Sequence, residues 1–505
     1  MWHDRGGFAA RISHSVDRGI LADVILSARL PVNPNIPRAL AALVMVGLLS
    51  LMATRIVHGS VVSAVGVIML VLSPFIIWLS LRLPMLFPFG LYIALASFDP
   101  LLRVSGGAGT LTKVFGIATI FALVARTLLA RRSVVPPLSW FAWLGVILYA
   151  GFSLAWSLNV DQTRLLLGQM LSLFALFTAL AIYPIEYFEL LQVRRLMILA
   201  GIVTGGYGVY AARSAPHVAS SLHHGYERLM ITSGKIVFDP NHFAAFFMIP
   251  ISIVVVGFLC DPRPLHKVSY AAVFVLLSVN VLLSGSRGGL IGAALIIFYL
   301  GWRARKYILT GVIAAAGLAI SAFIPTVWAR FADPSQGGGS GRNEIWSTGL
   351  HAVREYWLAG SGFGTYPDIY DNYVLQSTQR SFDGWHRPSH SLIIESIVEF
   401  GVLGSIVLFS AIWSSLRQNA SIARTHPLFT YRLESEGMLV GVLWMALTID
   451  VLWYKYLWLA LSFAILLANV HRSRTLLGNA GMSAMQRPSA ETLRRPRARV
   501  SSAPL

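Results

Sequence analysis

Apolar residues in this 505-residue chain run in long blocks rather than in alternation. The blocks fall at 39–56, 61–80, 84–98, 111–130, 139–157, 165–184, 194–211, 242–260, 268–284, 289–302, 307–325, 391–416, 436–453 and 455–470. A helix needs about 20 apolar residues to cross hydrocarbon, with about 17 as the lower limit, so 84–98, 289–302 and 455–470 are short for the task. The pattern predicts an all-α fold, a polytopic integral membrane protein with about 12–14 transmembrane helices.

The polar intervals give the organisation. Residues 1–38 are broken by Arg5, Arg11, Arg18, Arg29 and Arg38, with no early apolar core of a signal peptide. Ile12, Val16, Ile20 and Val24 recur at helical spacing, which suits a cytoplasmic helix lying in the membrane interface; a frayed tail suits the same residues. Residues 39–470 hold the membrane domain, and 471–505 read as a basic cytoplasmic tail, disordered from Gly478. With the N-terminus inside, the inner loops collect Arg82, Arg126, Arg131, Arg132, Arg194, Arg195, Arg263, Lys267, Arg303, Arg305, Lys306, Arg417, Arg424 and Arg432. The outer turns are poorer in charge, as the positive-inside rule requires. Two stretches then lie outside, 212–241 and the larger 326–390. The second carries Gly337–Gly339, Trp346, Trp357, Tyr366, Tyr370 and Trp385, and an amphipathic piece at Glu344–Tyr356, which favours an ordered periplasmic cap over a disordered loop.

Composition narrows the class. The chain is 56% apolar and 12% charged, whereas soluble domains are about a quarter charged. Mean hydropathy is +0.66. These values exclude a soluble enzyme, a disordered protein and a fibrous repeat. The single cysteine, Cys260, excludes an internal disulfide and a cysteine-rich metal site. The net charge of +18 fits cytoplasmic loops against anionic lipid, together with some anion-handling residues.

Candidate chemistry gathers on the outer side. Arg287 sits in Ser284-Gly285-Ser286-Arg287-Gly288-Gly289 at the end of a span. An arginine between glycines at a membrane boundary is costly unless it binds an anion or snorkels, and the glycines allow close approach of a ligand or another backbone. Arg342 opens the helical piece at Gly341-Arg342-Asn343-Glu344, where Asn343 is a candidate cap and a helix N-terminus favours anions. Pairing with Glu344 or Asp333 is the plainer alternative for Arg342. His390, in Pro388-Ser389-His390-Ser391, has the chemistry of a general base. His386 invites a metal, but Pro388 breaks the helical spacing and no cysteine or acid completes a ligand set, so no metal is expected. Glu395 and Glu399 follow in the next span, and Asp239-Pro240-Asn241-His242 reads first as turn and cap chemistry. Ser233-Gly234-Lys235 lacks the rest of a P-loop, and Gly360-Ser361-Gly362-Phe363-Gly364 reads as a turn rather than a dinucleotide fingerprint.

In these segments the chain resembles the O-antigen ligase and O-antigen polymerase superfamily of bacterial envelope glycosyltransferases. The matching pieces are SGSRGG at 284–289, GRNEIW at 341–346 with GSGFG at 360–364, and HSLIIESIVEFGVLG at 390–404; Asn241-His242-Phe243-Ala244 resembles the family's asparagine segment. The resemblance covers about residues 110–470. It implies a GT-C-like helical fold in the bacterial inner membrane, with both termini cytoplasmic. It implies metal-independent, cofactor-free transfer of glycan from an undecaprenyl-diphosphate donor to an acceptor hydroxyl, a further glycan or lipid A–core, with a chain-length regulator or export protein as a further partner. Arg287 and Arg342 would contact the donor diphosphate, His390 would activate or position the acceptor hydroxyl, and Asn241, Glu395 and Glu399 would support them. The family's histidine is often followed by asparagine, where this chain has Ser391. Ligase and polymerase stay balanced. Nucleic acid is no expected partner. The rival class is a transporter or flippase of lipid-linked glycan, which would carry ionisable residues deep within several spans; here Glu395, Glu399 and Asp450 are the main cases.

Overall fold

The computed structural model describes residues 61–102, 110–214, 220–223, 226–229, 231–233, 236–323, 328, 342–375 and 384–485. The expected interfacial helix within 1–38, the span at 39–56, Gly337–Gly339 and the tail end at 486–505 lie outside the described residues. The chain divides into two compact units, Met1–Leu79 and Ser80–Leu505. Helix α1 (Val61–Arg82) supplies the described part of the first unit.

The second unit is built from helices, as the apolar blocks predict. They are α2 (Phe89–Leu95), α3 (Leu111–Ala130), α4 (Leu138–Phe152), α5 (Val160–Ile182), α6 (Tyr187–Ser214), α7 (Pro240–Cys260), α8 (Pro264–Leu283), α9 (Arg287–Ala304) and α10 (Tyr307–Ala322). Then come α11 (Arg342–Tyr356), α12 (Tyr366–Tyr373), α13 (Leu392–Glu395), α14 (Gly401–Arg417), α15 (Phe429–Ala446) and α16 (Lys455–Met485). Seven helical segments among the described residues are long and apolar enough to cross a membrane: Leu111–Ala130, Leu138–Ala155, Val160–Ile182, Tyr187–Ser214, Pro240–Cys260, Pro264–Leu283 and Leu392–Arg417. Phe121, Leu128, Leu138 and Trp413 project from such helices unburied, which only a lipid solvent makes inexpensive.

Two expectations change in detail. The block at 84–98 is no continuous span: Pro84 and Pro88 remove backbone donors, and the chain makes α2 followed by a 3₁₀ turn at Ala96–Leu101. The stretch at 212–241 folds into two short antiparallel hairpins, Ser220–His223 with Tyr226–Leu229 and Ile231–Ser233 with Ile236–Phe238. Their strands are too short and too polar in part for an apolar-block reading to reveal.

Helix α7 is the central element, packed against α8, α9 and α15. Its start is set by Asp239, whose side chain accepts from the Asn241 N–H at 2.6 Å, and by Pro240 in the first turn. Nearly every residue from Pro240 to Gly257 is buried. Small residues bring its neighbours close: a Cβ on Gly289 of α9 would stand 2.8 Å from Ala244, and one on Gly437 of α15 would stand 2.3 Å from Ser252 Oγ.

The arginines expected in the inner loops are partly committed to the fold. Arg194 binds Glu434 at 2.7 Å, and Arg126 stands 3.6 Å from Glu189. Arg303 reaches both oxygens of Glu436 at 3.0 Å, and Arg432 reaches the same carboxylate at 2.7 Å. Asp99 pairs with Lys455 and accepts from Thr112, tying the 3₁₀ turn to the starts of α16 and α3.

Candidate active site

Arg287 lies in the first turn of α9. Ser286 caps that helix, its Oγ accepting from the Gly289 N–H at 3.2 Å, and Gly285 turns the chain through a φ of 61°. The flanking glycines serve packing: a Cβ on Gly288 would meet Thr448 Oγ1 at 2.7 Å, and the Gly288 carbonyl accepts from Trp444 at 3.0 Å. They pin Arg287 against the α15–α16 connection. Arg342 starts α11, so Asn343 lies within the first turn rather than capping it. Burial lowers the Arg342 pKa, Asp239 opposes that, Arg287 adds to it, and Asp450 opposes. The two arginines expected to act together therefore lie within electrostatic range of each other, and Arg342 within range of Asp239. Asn241 sits one residue into α7 next to Asp239.

His390 stands just before α13, with its backbone in the left-handed region at a φ of 50°. A non-glycine residue there stores strain, which such residues do most often at functional sites. Asp450 holds it. The carboxylate accepts from the His390 N–H at 3.2 Å and from Ser389 Oγ at 3.2 Å, and its Oδ2 lies 3.7 Å from His390 Nδ1. Burial holds the imidazole below its ordinary pKa; Asp450 opposes this and Arg342 adds to it. A neutral ring beside a carboxylate is the form that can take a proton.

Asp450 is the residue that sequence reasoning noticed as an interior charge without giving it a role. An acid near the end of the apolar block 436–453 was the available signal. His242 is a second such residue. Its ring stacks on Tyr454 at 3.9 Å, and its Nδ1 lies 3.0 Å from the Tyr456 hydroxyl, which donates to the Asp450 carbonyl at 3.2 Å.

The expected supporting acids separate. Glu399 accepts from the Gly364 N–H at 2.7 Å and the Tyr366 N–H at 3.0 Å, so it fixes the turn at 360–364. That glycine-rich segment is a backbone clasp, as its reading as a turn implied: Ser361 N donates to Val398 O at 2.9 Å and Gly362 N to Glu399 O at 3.1 Å. The acceptors lie in a π-helical turn, Ser396–Phe400, between α13 and α14. Both acids line a cavity of about 280 Å³ together with Ser389, Asp450, Tyr366, Trp453 and Tyr454, but Glu395 lacks the backbone partners that hold Glu399. His386 does not join His390; it pairs with Asp371 at 2.7 Å. Helix α11 is fastened to this centre by Trp346, whose Nε1 donates to the Ser389 carbonyl at 2.9 Å.

The chain thus offers two guanidinium groups within electrostatic range of each other, a half-buried imidazole near a carboxylate, and an adjoining small cavity. Such a set can neutralise a developing polyanion while a base removes a hydroxyl proton. Residues 272–409 match a family model described as O-antigen ligase. The match takes in Arg287, Arg342, His390, Glu395 and Glu399, and leaves Asn241 and Asp450 outside it. No curated protein matches the chain.

Proposed function

We propose that this integral membrane protein, whose residues 272–409 match the O-antigen ligase family model, is a glycosyltransferase-like enzyme of the O-antigen ligase and polymerase superfamily and moves glycan from undecaprenyl diphosphate to an acceptor hydroxyl. The reaction runs at the periplasmic face of the bacterial inner membrane, with both termini in the cytoplasm. Arg287 and Arg342 hold the donor diphosphate. His390 takes the proton of the acceptor hydroxyl, and Asp450 orients its ring. The acceptor oxygen attacks the anomeric carbon, the bond from that carbon to the diphosphate oxygen breaks, and lipid diphosphate leaves with its charge against the arginines. One displacement inverts the anomeric carbon. Two guanidinium groups supply the positive charge the leaving group needs, so the step is written without a metal.

The observation that carries this reading is the convergence of Arg287, Arg342, His390 and Asp450 from four separate segments. The test is reconstitution of the full chain with a polyprenyl-diphosphate oligosaccharide. A glycan ladder identifies a polymerase; product on lipid A–core alone identifies a ligase. Arg287→Ala and Arg342→Ala are each expected to remove most transfer, and full activity in both would end the assignment.

A further inference from the structure

The cavity beside His390 differs in chemistry from the arginine pair. Its volume of about 280 Å³ sits at the small end of ligand pockets, about 300–1,000 Å³, and suits one sugar residue rather than an oligosaccharide. Among the described residues no lysine or arginine lines it, while Glu395, Glu399 and Asp450 all do. A diphosphate would meet three carboxyl groups there, and the one titratable nitrogen base of the lining, His386, is already paired with Asp371.

Those carboxyl groups are not equivalent. Glu399 is engaged by two backbone N–H groups, and Asp450 by Ser389 and His390. Glu395 is 1% exposed, and neither of its oxygens meets a hydrogen bond of ordinary geometry. Its titratable neighbours are the acids Glu399 and Asp450, and its side-chain contact is with the Asp450 carboxyl. A buried acid that meets only other acids costs stability unless something else satisfies it. A polar guest does so, and the half-buried Trp453 and Tyr454 rings give an apolar wall of the kind that a sugar face covers.

We propose that this cavity is the acceptor subsite and takes a single neutral or amino-bearing pyranose, with Glu395 accepting from its hydroxyl or ammonium group, and that it rejects uronic acids. The proposal rests on the glycosyl-transfer reading for the word acceptor, and on the cavity alone for the sugar. The site then has two halves, a cationic one for the leaving lipid and an acidic one for the incoming sugar, with His390 and Asp450 between them.

Binding of methyl glycosides to the detergent-solubilised full chain, followed by saturation-transfer NMR, tests this without lipid donor or turnover. Methyl glucosaminide and methyl glucoside are expected to receive saturation and methyl glucuronide to receive none. In Glu395→Gln the preference for the amino glycoside over the neutral one is expected to fall about tenfold, the equivalent of one charge-assisted hydrogen bond. Trp453→Ala is expected to weaken both glycosides while the unfolding midpoint of the protein reports whether the variant is folded. Glucuronide binding as well as glucoside, identical selectivity in folded Glu395→Gln, or no saturation of any of the three at high millimolar concentration would overturn the proposal. Glycoside binding that survives alongside arginine variants with full transfer would leave the sugar site standing and remove the donor site instead.

Discussion

His390 is held in two ways at once, by a left-handed backbone and by a carboxylate that accepts from its N–H and lies 3.7 Å from its ring nitrogen. Its lowered pKa keeps the imidazole neutral at neutral pH. Transfer should therefore be flat through neutrality and fall only below the ordinary histidine range, about 6.5. Asp450 raises that pKa against the effect of burial. Asp450→Asn keeps an oxygen for Ser389 and the His390 N–H but removes the charge, so the acid limb should move to lower pH while the maximal rate drops by about 10²-fold. A pH–rate profile of the two proteins checks both directions; an acid limb moving upward would contradict the pairing. His390, Arg287 and Arg342 were legible in the sequence because each carries unusual neighbours: a proline, paired glycines, a helix start. Asp450 was not, because nothing local distinguishes an acid that ends an apolar block from one that merely faces a headgroup.

At the scale of elements, the glycine-rich turn and the π-helical turn are one device. Gly360 sits at a φ of 78°, and a Cβ there would stand 2.1 Å from the Glu399 carbonyl oxygen. Gly360→Ala should separate the two turns, adding about 1–2 kcal/mol of backbone strain to a clash that has nowhere to relax. A lowered unfolding midpoint in detergent, with loss of transfer, is the expected outcome, and an unchanged midpoint would show that the clasp is dispensable. Apolar blocks gave the long helices well because burial and length decide them. They gave the 84–98 region poorly, since Pro84 and Pro88 decide it, and could not reveal the hairpins within 220–238, whose pairing is set by register rather than by hydropathy. Glu399 looked like a supporting acid for chemistry; its partners, two backbone N–H groups, are visible only when residues 364 and 399 meet.

For the whole molecule, α9 is a ruler. Arg287 begins it and Arg303 lies in its last turn, 18 residues in all, a length of about 27 Å and close to the hydrocarbon thickness of a bilayer, about 30 Å. The candidate site and the Arg303–Glu436–Arg432 cluster therefore stand at opposite ends of one membrane-length helix. Glu436→Gln should cost about 3 kcal/mol by leaving two largely buried arginines without their carboxylate. Its effect should appear in the unfolding midpoint with little change in the rate of the folded enzyme. Sidedness is also directly measurable, because Cys260 is the only thiol to remove. In a Cys260→Ser background, a cysteine at Ser347 should react with an impermeant maleimide in intact spheroplasts and one at Arg424 should not; the reverse pattern would place the chemistry on the cytosolic side. The contact from Trp346 to the Ser389 carbonyl has a kinetic meaning. That bond joins the helix that begins with Arg342 to the residue preceding His390. On the proposed reading, seating a polyanion at the first therefore bears on the placement of the second, so donor binding and the poise of the base are coupled.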